Sequence, residues 1–196
     1  VSNCSAIVQE LKDKCVSCRK CEIGGLDIGG MPSNVFSNMN TDAKIMVVGQ
    51  NPGMDEVMKG VPFVGISGKI FDEAMKSVGM SRKDMYISNI VKCYTPKNRK
   101  PKNYEVDNCQ CFLDLEMEIV KPEVVVALGG DAFKQMTGMN GIMKHHGTIV
   151  FSPRYSVPVM PILHPSPLNT NNPVKKKMFE SDILALKKFM KGERDG

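Results

Sequence analysis

The sequence predicts a three-layer α/β fold in which a central four-stranded parallel sheet lies between helices. Three observations lead there. Four short apolar runs, at 45–48, 85–91, 124–128 and 157–163, have the length of strands and little polar alternation, so each is expected to be buried on both faces. Helical stretches separate them, the pattern of parallel strands joined by crossovers. At 196 residues the chain reads as one domain, residues 1–196, long enough to bury its own core.

In chain order, residues 5–15 form a short amphipathic helix with Ile7, Val8 and Leu11 on one face. Cys15, Cys18 and Cys21 follow as overlapping CxxC units, and a glycine-rich stretch at 24–30 runs into a polar loop through Thr41. The first strand stops at Gly49, where an Asn51-Pro52-Gly53 turn begins. Ser67 caps a helix with a stripe of Ile70, Phe71, Ala74, Met75 and Val78, closed by Gly79. The second strand ends in Asn89-Ile90-Val91-Lys92-Cys93, and 96–101 is a basic loop. A helix over 104–120 is halted by Pro122, and the third strand ends in Gly129-Gly130 before a short helix. Residues 147–151 read as a small extra strand. The fourth main strand delivers His164-Pro165-Ser166-Pro167-Leu168. Asn172 caps a last helix that opens with Pro173 and buries Phe179, Ile183, Leu186 and Met190.

Composition narrows the function. Hydrophobic residues make up 42% and charged residues 24%, ordinary values for a globular protein. No apolar run reaches membrane-spanning length and the N-terminus lacks a secretory apolar region, so a cytoplasmic protein without a membrane partner is expected. A net charge of +5 is compatible with a polyanionic partner without demanding one. Seven cysteines, odd in number and clustered, favour metal or cluster ligation over a disulfide framework.

Polar residues gather where the strands end: Gln50 and Asn51 after the first, Asn89 in the second, His164 after the fourth. Each alone would be an ordinary buried amide or capping histidine. A parallel sheet brings such ends to one edge, so together they are expected to line one cleft.

These residues sit in a longer ordered set. It runs through Cys18-x-x-Cys21, Gly49–Gly53, Gly60-Val61-Pro62-Phe63-Val64-Gly65-x-x-Gly68 and Ser88-Asn89-Ile90-Val91-Lys92-Cys93. It continues with Asn98-Arg99-Lys100-Pro101, Glu105-x-x-x-Cys109, Lys121-Pro122, Leu128-Gly129 and His164-Pro165-Ser166. With these motifs the chain resembles the uracil-DNA glycosylase superfamily, most closely its iron–sulfur branch, family 4, over nearly its whole length.

The resemblance implies a monofunctional enzyme, expected to be a monomer, that acts on uracil-containing DNA. It would flip deoxyuridine out of the helix and hydrolyse its N-glycosidic bond, because the reacting atoms are unreachable in the stack. Phe63 matches the aromatic residue that stacks on the flipped base. Asn89 matches the amide whose NH2 donates to uracil O4 and whose carbonyl accepts from N3–H. His164 matches the histidine at O2, where charge gathers as the base leaves, a contact worth ~3–4 kcal/mol by analogy with oxyanion holes. Glu56 matches an acidic residue near the uracil C5 edge. Ser166 and Leu168 are similar to the wedge of family 1, which enters the minor groove, and Lys175 beside them would contact phosphate.

The first turn departs from the family 4 pattern, Gly-Glu-(Ala/Gly)-Pro-Gly, with Gln50 and Asn51 in its second and third places. Gln50 is similar to the glutamine of the family 1 motif, and Asn51 to the water-holding asparagine of the mismatch-specific and single-strand-selective branches. The expectation is that Asn51 positions the attacking water and that Gln50 alters rate or substrate range. Four thiolates of the type Cys18, Cys21, Cys93 and Cys109 hold either [4Fe–4S] or zinc, and the resemblance implies the cluster. Cys15-x-x-Cys18 shares the spacing of the N-terminal pair, and Cys4 and Cys111 are expected to be free thiols.

Overall fold

The structure is a computed structural model that describes residues 2–193. Its element order is α1 (Ser2–Val16), β1 (Asp27–Ile28), β2 (Met31–Pro32), β3 (Ile45–Gly49), α2 (Met54–Lys59), α3 (Ile66–Ser77), β4 (Met85–Asn89) and α4 (Asn103–Val120). It continues with β5 (Val124–Leu128), α5 (Gly130–Thr137), β6 (Val150–Ser152), β7 (Val157–Ile162), α6 (Pro167–Thr170) and α7 (Pro173–Lys191).

The central sheet has five strands in the order β4-β3-β5-β7-β6, not four. β3, β4, β5 and β7 are parallel, as expected. β6, the small extra strand, pairs antiparallel with β7, so the sheet is mixed. It follows β7's edge through a tight return at 153–156, which only an antiparallel pair allows. A two-stranded hairpin, β1 with β2, spans the end of the glycine-rich stretch and the start of the segment read as a polar loop.

Every residue of β3, β4 and β5 is buried, because both sheet faces are covered. Alternate residues serve opposite layers. Met46, Val48, Val125 and Ala127 pack with α1, α4 and α5, whereas Ile45, Val47, Val124 and Val126 pack with α3 and α7. In α1, Val8 and Leu11 are buried but Ile7 is 44% exposed, so the buried face is narrower than expected. The α3 helix begins one residue before Ser67, with Gly65 at its N-cap and no side-chain cap. Asn172 does cap α7, its side-chain oxygen accepting from the backbone N–H groups of Val174 and Lys175.

β4 is an edge strand whose outer side is covered by the polar segment at 33–40. Ile87 N–H donates to Asn38 Oδ1 at 2.8 Å, and Asn38 Nδ2 donates to Met85 O at 2.8 Å. Farther along, Val35 N–H donates to Lys92 O at 2.7 Å and Tyr94 N–H to Ser33 O at 2.9 Å. Side-chain amides thus satisfy backbone groups that a sixth strand would otherwise pair.

Candidate active site

Parallel register aligns the strand ends. Gly49 lies opposite Asn89, and Leu128 opposite Ile162, so the segments that follow all emerge at one edge. There a cleft is lined by Gln50, Asn51, Glu56, Phe63, Asn89, His164, Ser166 and Leu168. Eight of the residues singled out in the sequence therefore meet in one place.

Asn89 is 2% exposed, and its Oδ1 has no hydrogen-bond partner among the described residues. A buried acceptor without a partner costs ~1–3 kcal/mol, so this one is set for a donor that arrives with a ligand. Gly49 makes room for it. A Cβ there would lie 2.5 Å from Asn89 Oδ1 and 2.5 Å from the Phe63 ring.

Phe63 has φ of 56°, a conformation that an aromatic residue rarely adopts. Two charged residues hold it. Glu56 Oε1 accepts from the N–H groups of Val64 and Gly65 at 2.9 and 2.7 Å, and its Oε2 from Gly53 N–H at 2.9 Å. On the other side Arg82 Nη1 donates to Pro62 O at 3.0 Å and Nη2 to Phe63 O, while Asp72 grips Nε at 2.7 and 2.9 Å. The loop packs so closely on α3 that a Cβ at Gly68 would fall 2.0 Å from Phe63 O. Glu56 thus ties the first turn to the loop bearing the ring, a contact the motif did not disclose.

The Phe63 and His164 rings lie 6.5 Å apart, tilted by 43°. Burial holds the His164 imidazole below its ordinary pKa, so the neutral ring, an N–H donor, is favoured. Ser166 stands at the N-cap position of the four-residue helix α6 without a side-chain capping bond, and Leu168 on it is 89% exposed. Lys175 reaches back to Asn169 Oδ1 at 3.2 Å, and Asn169 Nδ2 donates to His164 O at 2.9 Å. Lys175 therefore braces the segment behind the histidine.

The two turn amides have fixed orientations. Thr95 Oγ1 donates to Arg99 O at 2.5 Å, so it can only accept from Asn51, whose Nδ2 lies 3.2 Å away; that Nδ2 also donates to Pro52 O at 3.1 Å. Gln50 Nε2 donates to Asp131 Oδ2 at 2.5 Å. In both amides the NH2 end is engaged by protein, which leaves the carbonyl oxygen as the end available to the cleft. The site thus offers three amide oxygens without a carboxylate at positions 50 or 51.

A small pocket of about 10 Å³ is lined by Cys15, Cys18, Cys21, Cys93 and Cys109. Asn34 Nδ2 donates to Cys93 Sγ at 3.2 Å and Lys92 N–H to Cys109 Sγ at 3.2 Å. Burial raises the thiol pKa of Cys15, Cys21 and Cys93, and pushes that of Cys109 up to about 11. Among the described residues no group of three or more His, Cys, Asp or Glu is set to hold a single metal ion. Cys111 is half-buried and accepts from Lys20 Nζ at 3.3 Å; the Cys4 side chain lies outside the described residues.

Between this pocket and the cleft lies a buried network missed in the sequence. Lys92 Nζ pairs with Glu116 Oε2 at 2.5 Å and donates to Ser88 Oγ at 2.6 Å and to Asn89 O at 2.7 Å. The pair is sealed, with Lys92 1% and Glu116 0% exposed. One lysine therefore fixes the backbone of the cleft amide, and its own N–H meets a cysteine sulfur.

Residues 36–187 match the profile of the uracil DNA glycosylase superfamily. The chain is 35% identical over 191 residues to the type-4 uracil-DNA glycosylase of Thermotoga maritima, covering 95% of each chain. It is 34% identical over 184 residues to the type-4 enzyme of Archaeoglobus fulgidus, covering 90% of this chain and 88% of that one. A type-5 uracil-DNA glycosylase of Pyrobaculum aerophilum is 32% identical over 161 residues, covering 72% and 69%. From this similarity, with a sheet that brings the motif residues to one cleft, we conclude that the chain belongs to the uracil-DNA glycosylase superfamily.

Proposed function

We propose that the chain excises uracil from DNA as a monomeric, cytoplasmic repair glycosylase, leaving an abasic site. The observation that carries this reading is the unpartnered Oδ1 of Asn89 on the cleft floor near the Phe63 ring. Uracil N3–H is a donor where cytosine N3 is an acceptor, so a buried carbonyl selects the deaminated base. Phe63 would stack on the extruded base. His164, neutral in its buried setting, would donate to O2 as the bonding electrons pass to the base. Asn51 would hold the water that adds to C1′, a task an amide can perform once bond breaking leads. Glu56, engaged by three backbone N–H groups, would border the C5 edge by fixing the loop that forms it. Leu168 would enter the space vacated by the base, with Ser166 and Lys175 near the backbone. Among the described residues no helix is long and apolar enough to cross a membrane.

The cysteine pocket supports a [4Fe–4S] cluster on Cys18, Cys21, Cys93 and Cys109. Burial disfavours ionisation of the Cys93 and Cys109 thiols on their own, and the N–H donors at these two sulfurs suit thiolates that carry a cluster's charge. When bound, the cluster would supply cross-links between the N-terminal segment and the start of α4, a structural role. Purified protein is expected to be brown, with absorbance near ~400 nm, and to keep its colour in Cys15→Ser. Colourless protein with stoichiometric zinc would remove the cluster.

Function is tested by incubating the chain with a uracil-containing oligonucleotide and then with alkali. Strand scission marks turnover. A stable shifted adduct would mean a trapping protein, and neither product would mean that the cleft is idle.

A further inference from the structure

We propose that Asp131, held by Lys100, is a positioning residue for hydrolysis, fixing Gln50 so that the turn presents a carbonyl oxygen to the attacking water. The inference rests on the glycosylase reading of the cleft and adds to it a residue that none of the sequence motifs contains.

Gln50 stands between two cavities. On one side it lines the cleft, and on the other a pocket shared with Lys100, Asp131 and Lys134. The two ends of an amide have the same shape and opposite chemistry, so a glutamine in such a place serves two purposes depending on which way it turns. Asp131 decides. Its carboxylate can only accept, it lies 2.5 Å from Nε2, and so the NH2 end is bound away from the cleft. Asp131 is itself held twice. Lys100 Nζ pairs with its Oδ1, and it sits in the first turn of α5, where the helix dipole favours an anion.

The consequence concerns the water. Cleavage breaks the C1′–N1 bond, the electron pair leaves with the base, and the water oxygen bonds to C1′ while one water proton is released. A water whose two O–H groups are both taken by acceptors turns a lone pair toward the sugar. Asn51 Oδ1 and Gln50 Oε1 are two such acceptors on neighbouring residues, each turned by a partner behind it. Were Gln50 reversed, its N–H would compete for that lone pair.

The test is single-turnover cleavage of a uracil-containing oligonucleotide by the full chain and by three variants, with DNA affinity and thermal unfolding measured alongside. Asp131→Asn should slow cleavage roughly 10- to 100-fold, the loss of a hydrogen bond to a charged group, with affinity within about threefold. Gln50→Glu sets two carboxylates side by side and should slow cleavage at neutral pH, with relief in acid as one is protonated. The double variant Gln50→Glu/Asp131→Asn restores a donor–acceptor pair with its sense reversed, and should recover to within about tenfold of the wild type. Wild-type rates in Asp131→Asn, or a double variant as slow as the product of the two singles, would overturn the proposal and leave the glycosylase reading standing. So would a loss in Asp131→Asn that follows its unfolding temperature. No cleavage by the wild-type chain would remove both.

Discussion

Replacing Arg82 by alanine should impair the cleft without changing the identity of any residue that lines it. The left-handed backbone of Phe63 costs about 1–3 kcal/mol for a residue of this kind. Against that stand two hydrogen bonds from the Arg82 guanidinium to Pro62 O and Phe63 O, with Asp72 fixing the fork from behind. The arginine side chain is 28% exposed, so each bond belongs at the low end for a charged donor, about 1.5 kcal/mol. Two such bonds offset the strain with little to spare. Without them the loop relaxes and the ring leaves its place, forfeiting a stacking contact of about 1–3 kcal/mol per base, or roughly a 5- to 150-fold loss in kcat/KM. The assay is a double-mutant cycle on uracil excision with Phe63→Ala. If Arg82 acts through the ring, Arg82→Ala should cost little more once the ring is gone. Arg82→Lys should fail to rescue, because an ammonium cannot span two carbonyls and a carboxylate in one plane. Additive losses, or full activity in Arg82→Lys, would refute the reasoning.

Three further outcomes are expected. Asn89→Asp turns the donor toward uracil O4 into an acceptor, a mismatch of ~1–3 kcal/mol or more, so uracil excision should fall steeply while any activity on cytosine gains; unchanged uracil excision would show that Asn89 does not read the base. In single-turnover assays Asn51→Ala should slow cleavage with DNA affinity nearly intact, Asn51→Asp should hold or raise the rate, and His164→Ala should cost more than Asn51→Ala; the opposite order would point to a step limited by water attack. Lys92→Met leaves the Glu116 carboxylate sealed without its partner and should cost about 3–5 kcal/mol in denaturant unfolding, whereas Lys92→Met/Glu116→Leu should recover much of that loss.

Much of the fold was legible because burial on both sheet faces leaves an unmistakable run. The third main strand was read to the residue at 124–128, and the Asn172-Pro173 start of α7 followed from cap chemistry. What escaped had no such run. Helix α2 is six residues long, too short to show a period, and it is held by Glu56 reaching to Gly53 N–H. β6 itself was expected as a small strand at 147–151, but its place in the central sheet, antiparallel to β7, shows only in the pairing. The site residues at strand ends were found because a polar group directly after an apolar run is conspicuous. Arg82, Asp131 and Glu116 were not, because a charged residue in a helix or turn reads as surface, and only tertiary contact shows which way it points. Thr95 was missed for a similar reason, since its role depends on where its hydroxyl proton goes.

The covered outer edge of β4 has a consequence for solubility. An open edge strand is a template for other chains, and natural sheets protect theirs with charges, bulges or covering loops. Here the cover at 33–40 hangs between the cysteine pocket and β3, and it holds the edge largely through the side chain of Asn38 and a few backbone bonds. A shortened chain that starts at Ala43 would keep every cleft residue, yet expose a flat, fully buried-type strand of Met85, Tyr86 and Ile87. Such a chain should self-associate, with size-exclusion profiles that broaden with concentration. The polar loop is thus a guard against aggregation, and Asn38→Ala should be its mildest breach.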